Sequence, residues 1–295
     1  MDLTALYVDV DDFWQGFGPD YQRQLLGSGR CRPNRQGRLS VSEIMTILIA
    51  FQASNYRTFK HFYLHLLEHH RRDFPGLVSY GRFVRLMGRA ALPLLGYLLD
   101  RCRGRASGIS FIDSTPLRVC SLKRKDRHRV FAGLAALGKT SVGWFFGFKL
   151  HLVINDRGEL LGFALTPGNA DDRTRVDQLT RELWGRLFGD KGYIGQDLFE
   201  RLLGRGLKLI TPLRKNMQNK LMAWEEKVLL RKRSLIETVN DQLKNVSQVE
   251  HTRHRSPLHF VVHLIAGLAA YAKQPKKPAL RFDDLPADAA LVVKA

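Results

Sequence analysis

The hydrophobic period of this chain changes at Gly108, and that change constrains the fold more than any other feature of the sequence. Up to residue 105 the apolar residues recur at the spacing of one helical face. After Gly108, short apolar runs and alternating runs appear between the helical ones. The sequence therefore predicts a helical region over residues 1–105 and an α/β domain over residues 106–272.

Start and stop signals predict helices in the first region. Ser40 and Glu43 form a capping-box pattern ahead of an apolar helical face. A second helix is predicted to pass through Phe59, and a third to begin near Ser79 and end before Gly104. The first 105 residues are therefore expected to contain no sheet.

The order of elements after residue 105 predicts the architecture of the second region. The predicted elements are strands at 109–112, 142–154 and 160–165, a helix that Asp171 and Asp172 open, a strand at 187–188, a helix at 196–203, a strand at 207–212, and helices at about 223–244 and 258–272. This is the order of an RNase H-like domain, a mixed sheet flanked by helices with its first and fourth strands side by side. An unrelated α/β sheet is the alternative. Residues 273–295 are predicted to form a flexible tail.

Three carboxylates lie where this architecture could bring them together. Asp113 and Asp190 follow the apolar runs at 109–112 and 187–188, and Glu237 lies in a basic helical pattern. Carboxylate oxygens are the ligands that Mg²⁺ takes, and a pair of such ions can hold a phosphodiester for in-line displacement. Because aspartates at strand ends are common, the hypothesis depends on all three residues occurring in this order.

The charge balance favours a polyanionic partner. The chain has 47 Lys and Arg residues against 28 Asp and Glu residues, a formal net charge of +19 and a pI near 10.2. Nucleic acid is the natural partner for such a chain, although ribosomal and membrane-surface proteins share this property. Three widely spaced cysteines and no signal-peptide or membrane-spanning pattern predict a soluble protein of a reducing compartment.

The residues around Glu237 carry a family signature. The pattern Tyr-x2-Arg-x3-Glu-x6-Lys falls on Leu230, Arg233, Glu237 and Lys244, with leucine in place of tyrosine. Three more segments share the family pattern: Ile112-Asp-Ser-Thr-Pro-Leu, Leu165-Thr-Pro-Gly-Asn-Ala-Asp-Asp and Gly189-Asp-Lys-Gly-Tyr. On these residues the chain resembles the DDE-type transposases of bacterial insertion sequences, over roughly residues 30–272.

The resemblance implies a DNA transposase that cleaves the ends of an insertion sequence and joins them to target DNA. It implies that Asp113, Asp190 and Glu237 are catalytic and hold two Mg²⁺ or Mn²⁺ ions. The side chains expected to contact DNA are Lys191, Tyr193, Arg233, Lys244, Arg253 and Arg255. The expected partners are double-stranded DNA, as inverted-repeat ends and as target, and a second copy that forms a homodimer on DNA. The expected location is the bacterial cytoplasm, at the nucleoid when DNA is bound.

Two alternatives remain open at this point. One is a domesticated or decayed DNA-binding protein without catalysis, which the leucine at position 230 favours. The other is a DNA nuclease that cleaves without joining.

Other polar clusters admit structural explanations. His61, His65 and His69 share a helix face, but no cysteine or carboxylate joins them at ligand spacing, so core or interface histidines are expected. Asp171 and Asp172 are expected to cap a helix rather than bind a metal. Segments expected to contact DNA are the basic run at 123–129, which could also be a solvated charge run, and the arginines Arg30, Arg32, Arg35 and Arg38. The helical region over residues 1–105, which contains these four arginines, is expected to take part in recognition of the DNA ends.

Overall fold

The computed structural model describes residues 1–28, 37–213, 222–250 and 254–280, and the chain divides into two compact units. The first unit contains residues 1–102 and 242–274, and the second contains residues 103–241 and 275–295.

The described residues contain helices and one mixed sheet. The helices are α1 (Leu3–Gly27), α2 (Val41–Ala53), α3 (Phe59–His69), α4 (Tyr80–Met87), α5 (Ala91–Arg101), α6 (Val176–Leu179), α7 (Gln196–Leu203), α8 (Trp224–Arg231), α9 (Ser234–Asn245) and α10 (Pro257–Ala272). The strands are β1 (Ile109–Cys120), β2 (Ala136–Thr140), β3 (Gly143–Asn155), β4 (Leu160–Pro167), β5 (Gly185–Phe188) and β6 (Leu207–Ile210). This confirms the predicted fold class, an RNase H-like mixed sheet with flanking helices after a helical N-terminal region.

The first unit is helical, and α10 lies at its centre. This helix is buried along most of its length and packs against α2 and α5. The predicted capping box begins α2, because the Ser40 amide donates to Glu43 Oε2 at 2.6 Å and the Glu43 amide donates to Ser40 Oγ at 3.0 Å. No helix among the described residues is long and apolar enough to cross a lipid bilayer.

The third predicted helix is interrupted, which corrects the prediction of one continuous helix from Ser79. Helix α4 ends at Met87, a 3₁₀ turn covers Gly88–Ala90, and α5 then begins. At Gly88 a Cβ atom would come within 2.7 Å of Leu258 Cδ2, the end of a half-exposed side chain, so α10 begins close to this interruption.

The sheet of the second unit has the strand order β2-β3-β1-β5-β6, with β4 paired to β3. Strands β1 and β3 are antiparallel, whereas β1, β5 and β6 are mutually parallel. The predicted first and fourth strands, β1 and β5, are therefore neighbours as expected. Strand β2 was not predicted, because its sequence at 136–140 lacks alternation of large apolar residues.

Strand β1 is longer than the prediction of residues 109–112. It continues through Pro116 to Cys120, paired with β3 throughout this length. Its pairing with β5 ends at Phe111, so Pro116 lies where β1 has a partner on one side only. A proline, which lacks an N–H donor, is tolerated at such an edge. Asp113 consequently lies inside a strand rather than after one.

The long helix predicted at 223–244 is two helices, α8 and α9. Around Arg233 the amide hydrogen bonds change to three-residue spacing: Arg233 donates to Leu230 O at 3.3 Å and Leu235 to Lys232 O at 3.0 Å. This tighter turn separates the helices. The helix predicted to begin at Asp171 and Asp172 is a 3₁₀ turn over Asp172–Arg175 followed by the short helix α6, which ends at Leu179.

The C-terminal tail is described only as far as residue 280. Lys273 pairs with Asp9 at 2.6 Å within the first unit, and the Leu280 amide donates to Asp156 O at 2.8 Å within the second. The remainder of the predicted flexible tail, from residue 281, lies outside the described residues.

Candidate active site

The parallel pairing of β1 and β5 brings Asp113 and Asp190 to the same end of the sheet. Phe111 of β1 is in register with Phe188 of β5, and each aspartate lies two residues further along its chain. Asp190 begins a 3₁₀ turn and its Oδ1 accepts a hydrogen bond from the Gly192 amide at 2.8 Å. The two carboxylates predicted to meet are thus adjacent in the fold.

Arg233 and Glu237 of the α8–α9 region face these aspartates. Arg233 Nη2 lies 2.6 Å from Glu237 Oε1, and its Nη1 lies 3.9 Å from Asp113 Oδ1. Only 22% of the Arg233 side chain is exposed, compared with 52% of Glu237. The guanidinium therefore lies between the carboxylates of Asp113 and Glu237.

Asn240 is a site residue that was not predicted from the sequence. Its Nδ2 donates to Asp113 Oδ2 at 2.9 Å, and the side chain is buried. The spacing of three residues after Glu237 places it near the same face of α9, which is the signal that could have identified it. Asn240 fixes the orientation of the Asp113 carboxylate and leaves Oδ1 facing Arg233.

The environment of Asp113 favours a bound cation. Burial raises the pKa of Asp113 to about 7; the charge of Arg233 opposes this effect, whereas the charges of Asp190 and Glu237 add to it. A cation stabilises a desolvated carboxylate that has other negative charges beside it. In this structure that cation is Arg233.

The donor set suits a divalent metal in its chemistry, although the ligands are not gathered around one point. Three carboxylates offer the hard oxygen donors that Mg²⁺ and Mn²⁺ take. No three histidine, cysteine, aspartate or glutamate side chains in the described part of the chain lie close enough together to hold one ion. Arg233 is the counter-charge of two of the carboxylates, Asp113 and Glu237.

The residues predicted to contact DNA differ in their exposure. Lys191 is exposed beside Asp190, and Arg255 is exposed just before α10. Lys244 pairs with Glu250 at 3.5 Å, and only 19% of its side chain is exposed. Arg253 lies outside the described residues, as do Arg30, Arg32 and Arg35, whereas Arg38 is described and exposed.

Tyr193 is buried rather than available to a DNA base. It is 1% exposed and packs in the apolar core below the sheet end with Ile112 and Leu187. Burial, together with the charges of Asp113, Asp172 and Asp190, raises the pKa of Tyr193 well above its usual value. The position suits a residue that supports the carboxylates and excludes one that stacks on DNA.

Asp171 and Asp172 have different roles, although both were predicted to be capping residues. Asp171 caps the 3₁₀ turn by accepting from the Arg173 amide at 2.9 Å, and the hydrogen bond from the Arg173 side chain lowers the pKa of Asp171 to about 2. Asp172 instead accepts hydrogen bonds from Ser114 and Lys149. The prediction was therefore correct for Asp171 and wrong for Asp172.

The remaining polar clusters form no second site among the described residues. The rings of His65 and His69 lie 4.5 Å apart on α3, and no metal-binding group includes them. The basic run at 123–129 is largely exposed and contains a 3₁₀ turn over Leu122–Arg127. Its exposure agrees both with a DNA contact and with a solvated charge run.

Comparison with known proteins identifies one shared domain. A family model described as a transposase DDE domain matches residues 103–257, which is more than half of this chain of 295 residues. The match includes Asp113, Asp190 and Glu237. A search of curated proteins finds no match.

Proposed function

We propose that this chain, which belongs to the family of transposases with a DDE domain, cleaves the ends of an insertion sequence and joins them to target DNA. The observation that carries the proposal is the meeting of Asp113 and Asp190 on neighbouring parallel strands, with Glu237 facing them across Arg233. A basic protein of net charge +19 is suited to a polyanionic substrate.

Asp113, Asp190 and Glu237 would hold the divalent ions, which we propose to be two Mg²⁺ or Mn²⁺ ions. Bound ions of this kind activate a water or hydroxyl nucleophile and stabilise the leaving oxygen. The protein prepares the site by desolvating Asp113 and by placing the charges of Asp190 and Glu237 nearby. The Asn240 hydrogen bond holds Asp113 Oδ2, so that Oδ1 faces Arg233 and would be available to a metal ion.

Arg233 has two roles in this proposal. Without divalent ions it balances the charge of the carboxylates. Once divalent ions take over that role, the guanidinium becomes available to a phosphate oxygen, which it can bind through two parallel hydrogen bonds. Lys191 and Arg255, both exposed, would add charge along the DNA backbone.

The test is strand cleavage and joining on duplex DNA that carries the cognate ends, in Mg²⁺ or Mn²⁺. Asp190→Asn keeps the shape of the side chain and removes its charge, so we expect both reactions to be abolished. Asp197→Asn is the matched control, since Asp197 is an exposed aspartate in the first turn of α7. Robust joining by the Asp190→Asn protein would contradict the proposal.

The same assay separates the two alternatives. Footprinting that shows binding without strand breaks would support a decayed DNA-binding protein. Strand breaks without joined products would support a nuclease. The shared environment of the three carboxylates favours a catalytic protein over a decayed one. The match to a transposase DDE domain favours joining over cleavage alone.

We further propose that two copies assemble on two DNA ends. A two-fold axis matches inverted repeats, and the high positive charge opposes self-association until phosphates neutralise it. Mass measurement of the complex with end-containing DNA should give two proteins with two ends. A complex of one protein and one end that still joined both ends to a target would refute the dimer.

A further inference from the structure

Asp172 is held rigidly by two side chains. Its Oδ1 accepts from Ser114 Oγ at 2.8 Å and from Lys149 Nζ at 2.9 Å, and Lys149 also donates to Ala170 O at 2.9 Å. The side chains of Lys149 and Asp172 are 13% and 23% exposed. Desolvation offsets much of the attraction in such an ion pair. The pair therefore contributes more to the fixed position of the Asp172 side chain than to the stability of the fold.

Lys149 is the cation that balances Asp172. His151 is also close, and its Nε2 hydrogen bonds to Thr166 Oγ1 at 2.8 Å. Burial lowers the pKa of His151, although the charge of Asp172 opposes this effect, so the imidazole is neutral at pH 7. Lys149 and Asp172 therefore form a charge pair on the face of the sheet that Ser114 and His151 share.

Ser114 connects this pair to the first catalytic aspartate. It follows Asp113 on β1, and consecutive side chains of a strand point to opposite faces. Asp172 therefore holds β1 from the face opposite to Asn240, which binds Asp113. Strand β1 is therefore held from both faces of the sheet, by Asp172 at Ser114 and by Asn240 at Asp113.

The second oxygen of Asp172 lies close to Asp190. A Cβ atom built on Gly192 would be 3.6 Å from Asp172 Oδ2 and 3.0 Å from Asp190 Oδ1. The two carboxylates thus border the same small space at the Asp190–Tyr193 turn, where only a residue without a side chain fits easily.

The Tyr193 hydroxyl is a second and independent observation at this place. It is buried among the charges of Asp113, Asp172 and Asp190. Ser114, which also donates to Asp172, is the polar neighbour of this hydroxyl. Tyr193, Ser114 and Asp172 therefore form one polar group beside the catalytic aspartates.

We propose that Asp172 is a positioning residue for the catalytic aspartate Asp113: held by Lys149, it fixes strand β1 at Ser114, the residue next to Asp113. This inference rests on the proposed function, since it assigns Asp172 to the same site. Asp172 does not itself touch the reacting phosphate.

The test compares Asp172→Asn with Asp171→Asn in the full-length protein. The neighbouring Asp171 is a matched control, because it is 45% exposed and bonds to Arg173 rather than to the site. Circular dichroism first checks folding, and Mn²⁺ affinity is then measured by the electron paramagnetic resonance of free Mn²⁺. We expect Asp172→Asn to weaken Mn²⁺ binding about 10–100-fold, as supporting residues of metal sites do. Asp171→Asn should behave like the wild type.

Ser114 provides a second test that does not depend on the folding of the Asp172 variant. Ser114→Ala removes the hydrogen bond to Asp172, whereas Ser114→Thr keeps a hydroxyl on a side chain that suits a strand. We expect weaker Mn²⁺ binding and slower strand cleavage for the Ser114→Ala protein. In the Ser114→Thr protein both properties should recover. Equal Mn²⁺ affinity in Ser114→Ala, Ser114→Thr and the wild type would overturn the proposal, as would an unchanged affinity in folded Asp172→Asn.

These outcomes are distinct from a failure of the proposed function. If the wild-type protein neither bound Mn²⁺ nor cleaved DNA ends, the proposed function would fail and the role of Asp172 with it. If the wild type did both and the Asp172 and Ser114 variants matched it, only the positioning role would fail.

Discussion

At the scale of single residues, the arrangement of the site depends on the groups that balance the charge of Asp113. This buried carboxyl has Arg233 on one oxygen and Asn240 on the other. The proximity of Asp113 and Asp190 could be predicted from sequence, because the apolar runs that precede them are local patterns. Asn240 and Asp172 could not, since their roles depend on contacts with strands distant in the chain.

Replacement of Arg233 should lower the stability of the metal-free protein and increase the stabilisation that Mn²⁺ provides. Arg233→Gln removes the cation between Asp113 and Glu237, so we expect the protein in EDTA to be destabilised by about 1 kcal/mol, a modest value because Glu237 is half exposed. Mn²⁺ should then raise the melting temperature more in the variant than in the wild type. Thermal unfolding in EDTA and in Mn²⁺ measures both effects.

The control for this prediction is Arg231→Gln, at the exposed end of α8. It should match the wild type under both conditions. A larger Mn²⁺ effect in the wild type than in Arg233→Gln would show that Arg233 helps to bind the ion instead of substituting for it.

At the scale of elements, the sequence predicted what depends on local pattern. The alternating residues of β3 and the capping signal of α2 identified those elements correctly. The break between α8 and α9 was missed, because helical periodicity continues across it and no glycine or proline marks it. Strand β1 continues through Pro116 because its neighbour β5 is short and leaves that side of β1 without a partner. The length of a neighbouring strand cannot be read from the β1 segment itself.

The bulge between β1 and β3 gives a prediction for this scale. The register shifts between Arg118 and Cys120, opposite Gly147, and a Cβ atom on Gly147 would collide with the Leu117 carbonyl oxygen. Gly147→Ala should therefore destabilise the protein by about 1–3 kcal/mol, the typical cost of overpacking. Chemical denaturation monitored by circular dichroism measures the change.

Gly81→Ala is the corresponding control within a helix. Nothing lies within 4 Å of a Cβ atom at Gly81 in α4, so alanine should be neutral or slightly stabilising. Equal stability of the Gly147→Ala and Gly81→Ala proteins would contradict the close approach of the strands.

At the scale of the whole molecule, the helical first unit contains more of the chain than the N-terminal region predicted from sequence. The first unit also contains residues 242–274, and α10 packs against α2 and α5 within it. Deletion of residues 1–105 would therefore leave an apolar helix without its partners, and a failure of such a fragment to bind DNA would be uninformative. Substitutions in the full chain are needed to locate recognition of the DNA ends.

Two sets of basic residues should affect DNA binding differently. Glutamine at Arg30, Arg32, Arg35 and Arg38 should reduce the preference for end sequences, because we place end recognition in this region. Glutamine in the basic run at 123–129 should weaken binding to all sequences. Each phosphate that is no longer neutralised should also reduce the slope of log affinity against log salt concentration by about 0.9. Competition binding with end and random duplexes at several salt concentrations measures the end preference and the salt dependence. An unchanged end preference after replacement of the four N-terminal arginines would contradict the assignment of end recognition to that region.

The most direct test of the central claim is whether Asp190 binds a metal ion during strand transfer. Asp190→Cys replaces a hard oxygen ligand with a softer thiolate, which Mn²⁺ accepts more readily than Mg²⁺ does. Cleavage and joining are measured for this variant in each ion, relative to the wild type. We expect activity to be abolished in Mg²⁺ and partly restored in Mn²⁺. Equal activity of Asp190→Cys in the two ions, at the wild-type level, would contradict a metal-binding role for Asp190 and with it the proposed mechanism.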